Sequence, residues 1–400
     1  MDSGDAASSD DATSEGAAES SIEAGGDVAT EGSSVADSSA DGEAGAQGGG
    51  FTDPKSWSIF DLSVLMTDAG GSGYHGSTFD GRYLYFAPEW GGLALQYDTR
   101  SPFTVASSWQ TYDISTTVTR NLGVEWAGMG YDGRYAYFSP VANGGPFGLV
   151  VRYDTTKPFA QGSSWSSFDM TTVDSSAEGF AGVVSDGRFL YFVPGVSGGG
   201  KPYSFARYET QAPFTALTSW QIFDASLFVS TGGGLVAGAF DGRFIYAAKT
   251  GPIVGAPVAV RYDTQAAFTS SASWSAFTPQ SGFAPNGLGY SGLVFDGKYV
   301  YLVPNNVTGT VLQYATTGAF TDVASWTKFA TSTANAGTAV SMGGAYDGRY
   351  AYFNPWTTRT VPTSRTPTGC WFGTIRCPRF QPPARGPSLT SRRSTRTQRP

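Results

Sequence analysis

Three glutamates, Glu89, Glu125 and Glu178, stand apart from the acids that recur through this 400-residue chain. Two carboxylates at a suitable separation are all that glycosidic-bond cleavage requires, so these three are the residues to watch for acid–base work. A single histidine, His75, accompanies them, and a lone imidazole supplies at most one member of a site. Trp90 and Trp126 adjoin two of the glutamates and offer faces on which a sugar or another apolar ring would stack. His75, Glu89, Trp90, Glu125, Trp126 and Glu178 therefore form the candidate binding set, with Arg120, Lys201 and Lys249 on the same loops. No residue takes a catalytic role on sequence grounds. One histidine and two cysteines, Cys370 and Cys377, far downstream of it provide no metal-ligand spacing, and no phosphate-cradling glycine loop precedes a helix. Neither a metal nor another cofactor is expected.

What positions these residues is a repeat. Asp-Gly-Arg or Asp-Gly-Lys recurs with its aspartates at Asp80, Asp132, Asp186, Asp241, Asp296 and Asp347, at intervals of 51 to 55 residues. In step with it run Trp57, Trp109, Trp165, Trp220, Trp274 and Trp326, each preceded by Ser. A third series reads Tyr97-Asp98-Thr99, Tyr153-Asp154-Thr155, Tyr208-Glu209-Thr210, Tyr262-Asp263-Thr264 and, in weaker form, Tyr314-Ala315-Thr316. Three registers in phase define a repeat architecture of six units.

Each unit divides into four short stretches of aromatic and β-branched residues separated by turn signals, as strands do. In the second unit they are residues 126–131, 134–138, 149–154 and 165–169. Asp-Gly between the first two is the favoured centre of a two-residue hairpin, where both positions need positive φ. The second strand, as in Arg82-Tyr83-Leu84-Tyr85-Phe86, is apolar on both faces and so reads as one layer of a sheet packed between two others.

The Gly-x-x-x-Asp-Gly-Arg-Tyr-x-Tyr-Phe motif, followed by a Tyr-Asp-Thr strand and a Ser-Trp strand, resembles the kelch repeat of β-propellers over about 300 residues. Ala87-Pro88 and Ser139-Pro140 stand where the kelch Gly-Gly doublet would be. The resemblance implies an all-β fold, a six-bladed β-propeller of four-stranded antiparallel blades. The Ser-Trp strand at residues 57–62 precedes every other strand, so it would pair onto the sixth blade and close the ring. Kelch-like folds bind partners and, less often, catalyse.

Residues present in every unit read as structural. Arg82, Arg134, Arg188 and Arg243 are matched by Asp98, Asp154, Glu209 and Asp263, while Lys298 is matched by Ala315. Antiparallel neighbours bring the start of the second strand beside the end of the third, which predicts a repeated Arg–carboxylate pair. Six residues before each turn aspartate come Tyr74, Trp126, Phe180, Leu235, Tyr290 and Ser341, read either as a ring at the axial mouth or as packing between blades. Two residues later come Gly76, Gly128, Gly182, Ala237, Gly292 and Gly343, small as a crowded innermost strand requires. Function is expected where the units differ, in the loops joining second to third strands and fourth to next first strands.

The composition has three zones. Residues 1–50 hold twelve acids and no Lys or Arg, the signature of a disordered acidic tether. Residues 51–355 hold twenty-one acids against sixteen bases, with no basic face for nucleic acid. Residues 356–400 have nine Arg and no acid, a basic Pro/Arg/Ser-rich tail that reads as disordered or as a reading-frame slip near Trp356, leaving the third strand of unit six absent or distorted. No apolar run is long enough to span a membrane, and no signal peptide stands at the start. Acidic Ser/Ala/Gly tethers often follow the anchoring cysteine of bacterial lipoproteins, and that resemblance implies an envelope or extracellular location with the start codon assigned too late. The expected function is a monomeric, non-enzymatic binding or scaffold propeller that engages a glycan or protein through its variable-loop face. A glycan-cleaving enzyme using loop carboxylates and an intracellular interaction hub are the rivals.

Overall fold

The computed structural model describes most of residues 74–333, together with Phe60, Leu62–Leu65, Ser341–Tyr346, Ala351–Pro355 and Ile375–Cys377, all within the unit Gly49–Pro400. The acidic head, Trp90, Arg120 and nearly all of the basic tail lie outside the described residues.

Among the described residues the chain is almost wholly β. The first sheet runs β1 (Tyr74–Phe79), β2 (Tyr83–Pro88), β3 (Leu93–Asp98) and β4 (Trp109–Asp113), each strand antiparallel to the next. The second repeats it as β5 (Val124–Tyr131), β6 (Tyr135–Asn143), β7 (Leu149–Asp154) and β8 (Trp165–Asp169). Three more four-stranded sheets follow within residues 180–224, 235–277 and 290–330. A sixth, of Ser341–Tyr346, Ala351–Pro355 and Ile375–Cys377, has three strands among the described residues. Its third strand pairs Phe353 with Ile375 and Ala351 with Cys377, so the place expected to be empty or distorted holds a regular antiparallel strand. At three residues it is shorter than its counterparts, in keeping with the proline-rich sequence that reaches it.

The turn chemistry corrects one expectation. Asp80 N–H donates to Tyr83 O at 3.2 Å, which centres the hairpin on Gly81 and Arg82 and leaves Asp80 at its first corner. Gly81 has φ of 98°, the positive value that the first central position demands. The aspartate serves the turn with its side chain: Oδ1 accepts from the N–H groups of Arg82 at 2.8 Å and Tyr83 at 2.6 Å, and Oδ2 from the Tyr85 hydroxyl at 2.6 Å. Asp132, Asp186, Asp241 and Asp296 make the same three bonds. A second-strand tyrosine five residues on is thus part of the turn.

The other two motifs resolve into similar locks. In Tyr-Asp-Thr of the second unit, Tyr153 donates to Lys157 O, Asp154 takes Arg134 Nη2 at 2.9 Å, and Thr155 Oγ1 donates to Arg134 O at 2.7 Å. The expected pairs are all present, with Arg82–Asp98 and Arg243–Asp263 at 2.7 Å and Arg188–Glu209 at 2.8 Å. The Ser-Trp pairs close the loops before them: Trp109, Trp165, Trp220, Trp274 and Trp326 each donate Nε1 to the carbonyl six residues back, Trp165 to Phe159 O at 2.8 Å, and Ser108, Ser164 and Ser219 donate to a proline carbonyl, Ser164 to Pro158 O at 2.7 Å.

Neighbouring sheets pack face to face through aromatics. The residue three beyond Trp109, Trp165, Trp220 and Trp274 stacks on the tryptophan of the next unit: Tyr112 on Trp165 at 4.3 Å, Phe168 on Trp220 at 4.9 Å, Phe223 on Trp274 at 4.4 Å and Phe277 on Trp326 at 4.2 Å. Phe60, three beyond Trp57, stacks on Trp109 at 5.1 Å with planes 10° apart. Offset ring pairs of this kind add about 0.5–1.5 kcal/mol each beyond the area they bury. First strands approach so closely that a Cβ on Gly128 would stand 2.8 Å from Gly182 Cα, which accounts for the row of small residues. Of the large residues two positions earlier, Trp126, Phe180, Leu235 and Tyr290 are packing and not a channel mouth, at most 1% exposed, while Tyr74 is half-buried.

Candidate functional site

Sequential antiparallel strands put the Asp-Gly turns and the third-to-fourth connections at one end of each sheet. The second-to-third and fourth-to-first connections meet at the other end. That second end carries the loops that differ among units, and the candidate residues distribute over it unevenly.

Between the second and third sheets the loops enclose a cleft of about 280 Å³, lined by Pro146, Phe147, Gly148, Asp169, Thr171, Ser175, Glu178 and Lys201. Pro146 to Gly148 lead into β7, and Asp169 ends β8. Met170–Thr172 is a 3₁₀ turn whose N-terminal side Asp169 caps, with Oδ1 accepting from Thr171 N–H at 3.0 Å and Thr171 Oγ1 at 2.6 Å. Glycine is required at 148, since a Cβ would meet Ala177 O at 2.4 Å, and this close approach seats the loop that carries Glu178. The Glu178 side chain is 9% exposed, and its Oε2 is held by Lys201 Nζ at 2.7 Å.

His75, Glu89 and Glu125 gather at the neighbouring junction, between the first and second sheets. Burial, then the charge of Glu89, raises the Glu125 carboxyl from its ordinary value, and His75 opposes the rise. His75 is exposed and Glu89 half-buried. The six candidates therefore do not form one site. Glu178 stands in the cleft, His75 with the other two glutamates stands beside it, and Trp90 lies outside the described residues.

Trp126 has to be corrected. It is fully buried against Phe138 and Phe147, because its position on β5 faces the packed side of the sheet. Behind Phe147, a lining residue, it shapes the cleft without touching an occupant. Lys249 is likewise 1% exposed, its Nζ donating to Gly233 O at 3.2 Å and its pKa lowered by burial. Asp169, Thr171 and Ser175 were missed from sequence: Asp169 looks like Asp113, a cap that recurs, and nothing local marks it as the wall of a cleft. No group of His, Cys, Asp and Glu among the described residues is arranged to hold a metal ion. No described helix is long and apolar enough to cross a membrane.

The protein is of the β-propeller type, a repeated array of four-stranded antiparallel sheets packed through their faces, and this fold supports binding or catalysis alike. No family model and no curated protein matches the chain. Among solved structures it is similar to a hydrazine synthase of Kuenenia stuttgartiensis, at 14% identity over 72% of this chain and 94% of that one, with a TM-score of 0.43. A streptogramin B lyase matches at 12% identity over 73% and 79% of the two chains with a TM-score of 0.47. A virginiamycin B lyase from Staphylococcus aureus matches at 11% over 72% and 79% with 0.48. All three TM-scores lie below 0.5, and no activity is carried over from these proteins.

Proposed function

We propose that this chain is a binding propeller that engages a glycan through its variable-loop face, without catalysing a reaction on it. The observation that supports this reading is the cleft between the second and third sheets. Loops from two units build it, a proline edge and a phenylalanine floor line it, and Asp169, Thr171, Ser175, Glu178 and Lys201 bring hydrogen-bonding groups to it. A few convergent polar groups are what orient a small ligand in a cleft, and here polar groups make up most of the lining. The kelch likeness of the motif agrees with a binding role, and display outside the cell would bring such a face to glycans. A glycan array probed with the full chain tests the reading. Retention of defined glycans that Lys201→Ala weakens is expected, and retention of none would refute it.

The raised pKa of Glu125 beside Glu89 favours one second reading, cleavage of a glycosidic bond, because such chemistry uses two neighbouring carboxyls of which one is held above its ordinary pKa. A hydrolase screen separates the two. Turnover that Glu125→Gln abolishes would establish an enzyme, and no turnover with retained glycan would leave the binding reading standing.

A further inference from the structure

We infer that the cleft accepts a neutral or cationic polyhydroxylated ligand, one sugar residue at a time, and turns anionic sugars away. This rests on the reading of the loop face as a glycan-binding face and specifies the class of ligand.

The argument begins with a departure from the repeat. Eight residues before each turn aspartate stand Ser72, Val124, Glu178, Gly233, Leu288 and Ala339. The scaffold is built five times with no ionisable group there, so packing does not call for the glutamate. A carboxylate at this depth is costly to desolvate, and its one ion pair, with a lysine 39% exposed, offsets that cost only in part. A residue that the fold can do without and that opposes its own burial is better explained by what it does in the cleft.

The free valences define the ligand. Glu178 Oε2 takes the Lys201 ammonium, and Oε1 accepts no hydrogen bond among the described residues. Asp169 Oδ1 is occupied by Thr171, and Oδ2 accepts none among the described residues. Two carboxylate oxygens are thus left to receive donors, beside an ammonium with further N–H groups and the exposed Ser175 hydroxyl. Adjacent hydroxyls of a sugar fill such acceptors with charge-assisted hydrogen bonds, and the ammonium donates to a hydroxyl or ring oxygen. Two carboxylates against one ammonium give the lining a formal charge of −1, which attracts an amino sugar and repels a uronic or sialic acid. At about 280 Å³ the cleft lies just below the usual range of ligand sites, room for a single ring and not for an extended chain.

The test uses the full chain and compares neutral, amino and acidic glycans on one array at fixed ionic strength, with titration calorimetry on the sugars retained. Wild-type protein should retain neutral and amino sugars. Glu178→Gln and Asp169→Asn should each weaken them about tenfold, the loss of roughly one charge-assisted hydrogen bond. Thermal melts report whether each variant folds, and Ser175→Ala, at an exposed position, supplies a change that leaves the core alone. Acidic sugars bound as well as neutral ones, or neutral sugars bound with unchanged affinity by both carboxamide variants, would overturn this inference and leave glycan binding intact. An empty array would overturn both.

Discussion

Asp154 offers the sharpest test of how the repeat is held together. Its side chain is 4% exposed and accepts from Arg134 Nη2 at 2.9 Å, Thr156 Oγ1 at 2.6 Å and Thr156 N–H at 3.2 Å, with Lys157 Nζ at 3.6 Å. Burial alone would raise its pKa. The Arg134 guanidinium, the Thr156 hydroxyl and the Thr156 N–H outweigh it and hold the carboxyl down at about 2, against 3.8 for a free aspartate. The difference, 3.8 minus about 2, is roughly 2 pH units, and at about 1.4 kcal/mol per unit it corresponds to about 2–3 kcal/mol. An acid whose folded pKa is depressed contributes stability that is whole above its unfolded pKa, here 3.8, and is lost as the pH falls through its folded pKa near 2. Asp154→Asn should therefore lower Tm at neutral pH by about 4–12 °C, taking the roughly 2–4 °C per kcal/mol of large domains as an upper scale. The gap from wild type should close between about pH 4 and pH 2. Arg134→Gln should cost less, because Arg134 is 58% exposed and its loss leaves Asp154 the hydroxyl, the N–H and Lys157. The double variant should sit close to Asp154→Asn alone. Circular-dichroism melts of the four proteins across that pH range measure all of this. A gap that persists undiminished at pH 2, or equal costs for the two single variants, would refute the account.

Three further outcomes are expected. Glu125→Gln should raise Tm at neutral pH, since a carboxyl whose folded pKa is raised destabilises the fold when charged; the gain should vanish below the carboxylate range, and a lower Tm at neutral pH would contradict the assignment. Gly128→Ala should cost about 1–3 kcal/mol in denaturant melts by forcing a Cβ against Gly182 backbone, whereas Gly145→Ala, with open space around it, should cost little. We also propose that the strand expected at residues 57–62, of which only Phe60 and Leu62 are among the described residues, is the fourth strand of the sixth sheet and so closes a ring of six blades. Phe60 already stacks on Trp109 as Tyr112 does on Trp165, and Leu62–Leu65 follows it as a 3₁₀ turn just as Ile114–Thr116 follows β4. Phe60→Ala should then lower hydrogen-exchange protection in Ser341–Tyr346 and Ala351–Pro355, and protection lost only in the first sheet would argue against closure.

Much of the architecture could be read from residue order because the repeat is written in short-range chemistry. Residues 149–154 and 165–169 are strands as expected, and the Arg–carboxylate pairs follow once the second and third strands are taken as antiparallel neighbours. The second strand of that unit starts one residue later than expected because Arg134 is spent in the turn, and it runs on to Asn143. Asp-Gly marked the hairpin correctly but not its centre, since a side-chain oxygen of Asp80 takes N–H groups that a propensity rule leaves to the main chain.

What the amino-acid order determined by itself was the period, the strands, the turn ends and the row of small residues on the first strands, all properties of contacts within about one unit of chain. What only the tertiary structure decided was which side chains the packing of one sheet on the next would bury and which it would bring together. Trp126 and Glu125 are neighbours in sequence, yet the first is sealed in the core and the second stands at the loop face beside Glu89. Asp169 and Lys201 are 32 residues apart and meet across a cleft between two sheets. That separation is set by the loops and the stacked aromatics between units, a long-range geometry that no local pattern encodes.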